Sequence, residues 1–332
     1  MTRGNGRVTL EDIAKATGFT INTVSRALKN KEDISRQTCE IIQEKAREMG
    51  YVRNYLASSL RSGRTKTFAM ITGTMSNPFY AILADLLQEE AGKKGYGLMI
   101  LCSRDDPETE AGAVEMALSR QVDGVLISPA SVDSPGLKNL RSSGLPFVLL
   151  SRYLRMEKDD SVIQDDEQGG YLAGKYLIEK GHRKVAYLSY RHVVYSTRTR
   201  GEGFRRACRE AGIPDQDVFE AETAGDEEIL RQLTEWIRKG VTGIFSFCDV
   251  EAWSSLTLLE ENGCAVPENL TFVGFDNILG YIHFPKPIPS IDGNLREEAR
   301  VAVEVLRNRI HEPDLPPQHR VIPVKLVQRK DS

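Results

Sequence analysis

Side chains at positions 21, 22 and 26 have the chemistry to contact the edges of nucleic-acid bases. Asn22 and Arg26 are four residues apart, so a helix would place them on one face, beside Ile21. In the major groove of DNA an asparagine amide pairs with adenine through two hydrogen bonds, an arginine guanidinium pairs likewise with guanine, and an aliphatic side chain contacts the thymine methyl group. These three residue types in this spacing favour a DNA-reading helix.

The same short segment carries side chains suited to phosphate groups. Thr23, Ser25 and Lys29 offer two hydroxyls and an ammonium, which can fix the register of a protein on DNA without reading its sequence. Thr20 can cap the helix, because its hydroxyl can accept a hydrogen bond from a backbone N–H of the first turn. We count Thr20 among the expected DNA contacts and interpret the segment as a recognition helix.

Residues 8 to 29 are predicted to form two short helices around a tight turn. Thr9 can cap the first helix with Asp12 as its partner three residues on, and Gly18 can supply a left-handed turn. The spacing of Ala14, Gly18 and Val24 is that of a helix-turn-helix, with a small residue at the helix contact, a turn glycine and a packing aliphatic.

A third helix is expected from Ser35, as its cap, to about Met49, and it would be buried through Ile41, Ile42 and Ala46. An ordinary three-helix bundle would use the same residue types, so this segment alone leaves that alternative open. The polar side chains that remain on the second helix favour the DNA-binding interpretation.

Charge is divided unevenly along the chain. Residues 1–66 hold 13 Lys and Arg against 7 Asp and Glu, whereas the whole chain of 332 residues has a net charge of −3. A small basic segment therefore precedes a large acidic one. This asymmetry indicates that a polyanion would bind at the N-terminal end alone.

Other function classes find little support in the composition. No run of about 18 apolar residues could span a membrane, and the N-terminus has no apolar signal core, so a cytoplasmic location is expected. The five cysteines form no CxxC pair and the five histidines form no ligand cluster, so no metal and no cofactor are predicted. GxGxxG, P-loop, HExxH and GxSxG motifs are absent from the sequence, and no catalytic residue is predicted.

From residue 67 onward, short apolar runs alternate with amphipathic stretches. TFAMITG, YGLMILC, VDGVLIS and PFVLL are typical of buried parallel strands, and the rhythm restarts at KVAYLSY, TGIFSF and LTFVGFD. Two such series predict two doubly wound lobes, with a ligand cleft where the carboxyl ends of the strands meet. The predicted fold class is therefore α/β, preceded by a helical N-terminal domain.

Several motifs resemble those of the lactose-repressor (LacI/GalR) family. VTLEDIAKATG, TVSRAL and the pattern NxxAxxL occur in the first 60 residues, and SNPFY, RGEGF, CDVEAW and FVGFD occur later. The resemblance implies a helix-turn-helix domain, a hinge helix, and two doubly wound lobes similar to those of periplasmic sugar-binding proteins. It also implies that Ile21, Asn22 and Arg26 read the major groove.

The segment NYLASSL, residues 54–60, matches the hinge helix of that family. It is shorter than the roughly 12–15 residues at which a lone helix becomes marginally stable in water, and the resemblance implies that it orders only on operator DNA. Asn54, Ala57 and Leu60 are then expected at the minor groove, with Leu60 wedged into a base step. Packing of Leu60 against a protein core is the alternative. Arg53 stands where family members usually have proline.

The resemblance also implies an effector site in the cleft. Arg200 and Asp276 match residues that grip effector hydroxyls or carboxylates, and a guanidinium facing a carboxylate suits a sugar-like ligand because each forms bidentate hydrogen bonds. A structural ion pair between the two is the alternative interpretation. The expected effector contacts are Asn77, Phe79, Tyr80, Arg200, Asp249 and Asp276.

Three departures from the family pattern leave the effector unnamed. Cys248 replaces the usual asparagine before Asp249, and Ser151 replaces a frequent aspartate before Arg152. No aromatic residue lies between positions 220 and 227, where some members carry one that stacks on the ligand.

The sequence thus predicts a homodimeric DNA-binding transcriptional regulator, expected to act as a repressor, whose affinity for a pseudo-palindromic operator is modulated by a small, sugar-like effector. The alternative is a cytoplasmic ligand-sensing protein that acts through protein contacts. The expected domains are residues 1–52 (helix-turn-helix), 53–66 (hinge helix and linker) and 67–332 (effector binding and dimerisation). Its first lobe would comprise about 67–165 and 295–322, and its second about 166–294 and 323–332.

Overall fold

The computed structural model describes residues 8–52, 63–131, 133–152, 158–190, 195–283 and 286–329. The chain divides into two compact units, Met1–Thr65 and Lys66–Ser332. The first unit is helical and the second is built on two β-sheets. Within the described ranges, no helix has the length and apolar character needed to span a membrane.

Within residues 8–52, the N-terminal unit forms the helices α1 (Leu10–Thr17), α2 (Ile21–Ala27) and α3 (Arg36–Glu48). α1 begins at Thr9, where reciprocal hydrogen bonds with Asp12 form a capping box. It ends at Gly18, whose φ of 74° is a left-handed conformation that glycine adopts without strain. These caps confirm the predicted turn between α1 and α2.

A small apolar core lies between these helices. Ile13, Val24 and Ile42 are fully buried, one from each helix. Ile41 is 48% exposed, so the prediction that it is buried is wrong. Ile42 and Ala46, four residues apart, set the inner face of α3, and Ile41 lies about 100° around the helix from Ile42.

The second unit begins with alternating strands and helices: β1 (Thr67–Thr72), α4 (Pro78–Lys93), β2 (Gly97–Cys102), α5 (Pro107–Ser119), β3 (Gly124–Ile127), α6 (Pro135–Ser143), β4 (Phe147–Leu150) and β5 (Asp160–Gln164). A second series follows: α7 (Asp166–Glu179), β6 (Val185–Tyr190), α8 (Tyr195–Glu210), β7 (Val218–Thr223), α9 (Asp226–Arg238), β8 (Gly243–Ser246), α10 (Asp249–Glu261), β9 (Thr271–Phe275) and β10 (Ser290–Asp292). The last elements are α11 (Leu295–His311), β11 (His319–Ile322) and β12 (Lys325–Val327).

These strands form two six-stranded sheets, one in each lobe. The first has the order β11-β5-β4-β3-β1-β2, and all its neighbouring pairs are parallel. The second has the order β12-β10-β9-β8-β6-β7 and is parallel except for the pair β10–β12. The strand order reverses between β1 and β3 and between β6 and β8, as in the doubly wound sheets predicted from the sequence.

Helices cover both faces of each sheet, which is why the central strands are apolar throughout. Every residue of β3 and of β8 is buried. Along β1, Met70 belongs to the core on one face of the sheet, whereas Ala69 and Ile71 belong to the core on the other. With both faces covered, polar side chains of the central strands reach a ligand only at the strand ends.

The chain passes between the lobes three times. It enters the second lobe after β5 and returns after β10 to α11, which packs against β3, β4, β5 and α4 of the first lobe. It then adds β11 to the first sheet and, after two residues, β12 to the second.

Candidate functional site

One face of α2 is exposed and the opposite face is buried. Ile21 is 49% exposed, and Asn22 and Arg26 are exposed as well. Val24 and Ala27 are fully buried in the core of the helical unit. The structure therefore places the three predicted base-contacting side chains on the solvent side of one short helix.

Hydroxyl groups stabilise the first turn of α2. The Thr23 N–H donates to Thr20 Oγ1 at 3.2 Å, and the two threonine hydroxyls are 2.9 Å apart. Ser25 is half-buried, like Thr23, and Lys29, just beyond the helix, is exposed. Thr20 and Thr23 thus have a structural role at the start of α2 in addition to the predicted contacts with phosphate.

The loop that follows α2 is held against α3. The Gln43 Nε2 donates to the Ala27 carbonyl oxygen at 3.1 Å and to Asn30 Oδ1 at 2.6 Å. The Lys31 N–H donates to the Arg26 carbonyl oxygen at 3.2 Å. These bonds fix the end of α2, and with it the backbone of Arg26, relative to α3.

Arg26 forms an ion pair with Asp33, a residue of this loop that the sequence reasoning did not single out. The two side chains are 44% and 51% exposed. The hydrogen bond between them raises the pKa of Arg26 and lowers the pKa of Asp33. Exposed pairs of this kind contribute little to stability, so Arg26 can exchange this partner for another at little cost.

The predicted minor-groove contacts Asn54, Ala57 and Leu60 lie outside the described residues, as does Arg53. The described chain stops at residue 52 and resumes at residue 63. Their proposed contacts with DNA stay predictions.

A cavity of about 50 Å³ lies between the two lobes of the second unit, where strands of both sheets end. The carboxyl ends of strands in doubly wound sheets are the usual place for a ligand. From the first lobe it is lined by Asn77, Phe79, Tyr80, Ser151, Arg152 and Gln164. From the second lobe it is lined by Ser196, Arg200, Phe247, Cys248 and Asp276.

Arg200, in α8, is buried in the wall of the cavity. Its Nε donates to Asp166 Oδ1 at 2.8 Å, and its Nη1 donates to the Phe247 carbonyl oxygen at 2.5 Å. Its Cζ lies 3.4 Å from the ring centroid of Phe275 and 4.4 Å from that of Phe247. The carboxylate paired with Arg200 is therefore that of Asp166, and Asp276 is left for another partner.

Close packing of α7 on α8 sets the position of Arg200. A Cβ atom at Gly170 would lie 1.9 Å from the Arg200 carbonyl oxygen, and one at Gly203 would lie 1.9 Å from the Glu167 carbonyl oxygen. Only glycine allows the two backbones to approach so closely. Gly203 belongs to the motif RGEGF, so this motif supplies both the arginine and the helix contact that places it.

Asp276 follows β9 in a left-handed backbone conformation with a φ of 97°. It is 4% exposed and lines the cavity, and the described residues provide no hydrogen-bond donor to its carboxylate. Burial raises the pKa of Asp276 well above its usual range, although the charge of Arg200 opposes the rise. Uncommon backbone conformations of this kind cluster at functional sites, which agrees with a binding role for this carboxyl group.

Arg152, which follows β4, forms hydrogen bonds with three other segments of the first lobe at the cavity. Its Nη1 donates to Asp105 Oδ1 at 2.6 Å and to the Pro129 carbonyl oxygen at 3.1 Å, and its Nη2 donates to Tyr80 Oη at 2.8 Å. Burial raises the pKa of the Tyr80 hydroxyl, against the effect of Arg152. The loops after β2, β3 and β4 and the start of α4 are thereby joined through one guanidinium.

Gln164, the last residue of β5, is fixed by a buried acid. Its Nε2 donates to Glu298 Oε2 at 2.9 Å, and the Ser151 hydroxyl donates to Glu298 Oε1 at 2.7 Å. Burial raises the pKa of Glu298 to about 7. The Gln164 Oε1 is buried and finds no hydrogen-bond partner among the described residues.

Aromatic rings complete the cavity from opposite lobes. Asn77 Oδ1 accepts a hydrogen bond from the Phe79 N–H at 3.0 Å and so caps α4, which places Phe79 at the cavity. Phe247 lines it from the second lobe, directly after β8. Sequence reasoning missed Phe247 because it sought an aromatic residue between positions 220 and 227.

Asp249 is not among the residues that line the cavity. Its Oδ1 accepts a hydrogen bond from the Ser290 hydroxyl at 2.6 Å, and its Oδ2 accepts one from the Ile278 N–H at 2.8 Å. Burial raises the pKa of Asp249 to about 7, although these bonds oppose the rise. The structure therefore separates Asp249 from the other five predicted effector contacts, all of which line the cavity.

Six lining residues were not among the predicted contacts: Ser151, Arg152, Gln164, Ser196, Phe247 and Cys248. Gln164 ends β5, and Arg152 and Phe247 closely follow β4 and β8, so their position relative to a strand end is the signal that could have found them. No group of three or more His, Cys, Asp or Glu side chains in the described part of the chain could hold a metal ion.

Two family models match the chain. The model for bacterial regulatory proteins of the lacI family matches residues 9–54, and the model for the periplasmic binding protein-like domain matches residues 175–331. The first match contains α1 to α3, and the second contains Arg200, Phe247 and Asp276.

Named relatives agree with these models. The HTH-type transcriptional regulator DegA of Bacillus subtilis (strain 168) is 33% identical over 282 residues, which are 82% of this chain and 82% of DegA. The solved structure of the transcriptional regulator CelR–cellobiose complex is 25% identical, with a TM-score of 0.70, and covers 98% of this chain and 100% of that one. A LacI family transcriptional regulator from Enterococcus faecium, solved with bound ribose, is 26% identical with a TM-score of 0.69, over 79% of this chain and 97% of that one.

These relatives are all named as transcriptional regulators. An N-terminal helix-turn-helix, two doubly wound lobes and an identity of 33% to DegA over most of both chains lead to one conclusion. The chain belongs to the LacI family of bacterial transcriptional regulators.

Proposed function

We propose that α2 reads the major groove of operator DNA, with Ile21, Asn22 and Arg26 at the base edges. The supporting observation is that these side chains are exposed on a helix whose opposite face is fully buried. The remaining expected contacts of this segment hold phosphate groups and fix the register on DNA; they are Thr20, Thr23, Ser25 and Lys29.

The protein acts as a homodimer that represses transcription in the cytoplasm. Two copies of α2 would match the two half-sites of a pseudo-palindrome. Exposed large apolar side chains on the second unit, among them Ile100, Tyr281 and Ile282, suit a surface covered by a second copy. Two hinge segments of the dimer would then place Asn54, Ala57 and Leu60 at the minor groove.

Each part of this function is assigned to one of the domains proposed from the sequence. Residues 1–52 bind DNA, residues 53–66 form the hinge and linker, and residues 67–332 bind the effector and the second copy. The lobe bounds proposed are about 67–165 with 295–322 and about 166–294 with 323–332.

The effector is a small, sugar-like molecule that binds in the cavity between the lobes. Cellobiose and ribose bound to structural neighbours support this class. The cavity of about 50 Å³ is smaller than the roughly 300–1,000 Å³ of ligand pockets, so the lobes must move apart to admit a ligand. Effector binding then alters operator affinity, and operator binding must alter effector affinity by the same factor.

Selection of random duplex DNA on the purified protein at near-physiological salt tests the DNA-binding role. A pseudo-palindromic consensus with a constant central step is expected. Enrichment of no sequence by the folded protein, with and without pooled sugars, would contradict the role and favour the alternative, a ligand sensor that acts through protein contacts.

Arg26→Ala tests the base contact more closely. We expect it to lower affinity for the selected site by about 1–3 kcal/mol, because a bidentate contact with guanine is lost, and to relax selection at one position of each half-site. Arg36→Ala is the matched control, since Arg36 is an exposed arginine of α3 that is paired with Glu40. Equal losses in both variants would remove Arg26 from base reading.

A further inference from the structure

Both guanidinium groups that the described residues place at the cavity are already paired with a carboxylate of the protein. Arg200 pairs with Asp166 at 2.8 Å, and Arg152 pairs with Asp105 at 2.6 Å. In the described chain the cavity has no third lysine or arginine in its lining. The charge that a phosphate or carboxylate of a ligand would meet on either guanidinium is therefore already balanced by a protein carboxylate.

Two further acids at the cavity form no ion pair with any lysine or arginine that the structure describes. Asp276 lines it, and Glu298 lies directly behind Gln164 and Ser151, bonded to both. If ionised, these acids repel an anion; if protonated, they offer it no compensating charge. Either state disfavours a negatively charged ligand.

Helix N-termini, the other common anion-binding device, are also occupied at two of the helices that begin here. The first free N–H of α4 donates to Asn77 Oδ1. α10 carries Asp249 and Glu251 in its first turn, and Glu251 Oε2 accepts a hydrogen bond from the Phe247 N–H at 2.8 Å. The Asn77 amide oxygen therefore occupies the first N–H of α4, and two acidic side chains of the chain itself lie in the first turn of α10.

Free hydrogen-bond acceptors remain, by contrast, on both sides of the cavity. Gln164 Oε1 is buried without a partner in the first lobe, and the Asp276 carboxylate has no donor among the described residues of the second. The orientation of the Gln164 amide follows from its partner, because the Glu298 carboxylate accepts from Nε2 and leaves Oε1 for a donor. An unpaired buried acceptor destabilises the folded protein, and a hydroxyl donor of a ligand would remove that penalty.

We infer that the ligand of this cleft is uncharged and rich in hydroxyl groups, and that Gln164 accepts a hydrogen bond from one of these hydroxyls. The inference rests on the proposed effector role of the cavity. It narrows the sugar-like class to neutral sugars and excludes sugar phosphates and sugar acids. Phe79 and Phe247 supply apolar surfaces that suit the C–H faces of such a molecule.

Matched pairs of neutral and charged sugars test the inference that the ligand is uncharged. Binding of cellobiose and cellobionate, and of D-ribose and D-ribose 5-phosphate, would be measured by titration calorimetry on the full chain. We expect saturable binding of at least one neutral member and at least tenfold weaker binding of its charged counterpart. A charged member that binds as well as its neutral partner, or a panel in which none binds, overturns the inference.

Gln164→Leu tests the acceptor. We expect about a tenfold loss of affinity for the neutral sugar that binds, with no loss in Gln88→Leu, a control on the exposed side of α4. Because the leucine variant also removes a donor to Glu298, monodeoxy analogues of that sugar provide a second measurement. One analogue should bind wild type and Gln164→Leu equally, since it lacks the hydroxyl that Gln164 accepts; a loss of the same size for every analogue would show a structural role and overturn the assignment.

The DNA selection described above is independent of these titrations. A protein that selects an operator yet binds no sugar of the panel keeps its proposed DNA-binding role and loses this inference. A protein that binds a neutral sugar and selects no DNA loses the proposed role and keeps the inference about its ligand.

Discussion

Arg26 and Arg200 show how the same residue type serves two regions in different ways. Each is paired with one aspartate, yet the Arg26 and Asp33 side chains are about half exposed, whereas those of Arg200 and Asp166 are 7% and 5% exposed. Arg26 pairs with a residue of the loop that follows α2, and a few hydrogen bonds hold this loop in place. Arg200 is stacked on Phe275 and packed where two helices are closest.

The difference follows from what each arginine has to do. Water screens the Arg26 pair, so in the proposed complex with DNA a base edge can replace Asp33 as the partner of Arg26. Arg200 has lost its hydration on folding and depends on Asp166 and the Phe247 carbonyl for compensation. It therefore serves as a fixed part of the cavity wall, whereas the acceptors of Gln164 and Asp276 beside it have no donor among the described residues.

Removal of each arginine gives the largest expected contrast. Arg200→Ala should lower the free energy of unfolding by about 3–5 kcal/mol, because Asp166 is left buried without its partner. Arg26→Ala should change it by no more than about 0.5 kcal/mol. Urea unfolding followed by far-UV circular dichroism measures both.

Asp166→Asn in the Arg200→Ala background provides the control for this contrast, and it should recover part of the lost stability. A loss below about 1 kcal/mol in Arg200→Ala would mean that the buried pair is not needed for folding, and the comparison would fail.

The glycine contact beneath Arg200 gives the next largest effect. Gly170→Ala should lower stability by at least about 1–3 kcal/mol, since the new methyl group meets the Arg200 carbonyl oxygen at 1.9 Å. Gly112→Ala is the control: it lies inside α5 with nothing within 4 Å of the added Cβ, and it should stabilise by about 0.5–1 kcal/mol. Thermal unfolding of both variants decides, and equal melting temperatures would contradict the close packing.

The dependence of stability on pH is the smallest expected effect. It has opposite signs for Glu298 at the cavity and for Asp33 in the helical unit. The pKa of Glu298 is raised from its ordinary value of 4.5 to about 7, so the folded state holds a proton that the unfolded state releases. Stability from this group is full below about pH 4.5 and is lost as the pH rises to about 7. The pKa of Asp33 is lowered, so its contribution is lost only as the pH falls.

Glu298→Gln should therefore reduce the fall of stability between about pH 5 and pH 7 by up to about 1.4 kcal/mol per pH unit. Both tryptophans, Trp236 and Trp253, lie in the second unit, so urea unfolding followed by their fluorescence reports on this region alone. Asp249, with its pKa also near 7, remains in the variant and leaves part of the slope. An unchanged slope would show that Glu298 is ionised in the folded protein.

The central strands and the caps of the first two helices could be predicted from the sequence, because local rules decide them. Strands such as β3 and β8 are apolar at every position, since helices cover both faces. The edge strand β7 was not identified, because VFEAET keeps only one fully buried residue and reads as a polar segment. Ile41 was misjudged because an apolar residue type does not reveal which side of α3 it occupies.

The cavity was predicted to the extent that it follows strand ends and the resemblance to a family. The side-chain hydrogen bonds that shape the cavity could not be predicted, because they join residues that are distant in sequence. Gln164 and Glu298 are separated by 134 positions, and Arg152 and Asp105 by 47. No local sequence pattern encodes such a pair. The acidic partner of each arginine can therefore be identified only from the three-dimensional structure.

The three passages of the chain between the lobes limit how this protein can diversify. Because each lobe is assembled from separate stretches, a single recombination between two related genes cannot exchange one lobe intact. Under the proposed effector role of the cavity, a new effector preference would therefore arise by point substitution at strand ends, such as those that carry Gln164 and Asp276. The helical N-terminal unit is one continuous segment. A single gene fusion could therefore replace it and bring a new operator preference.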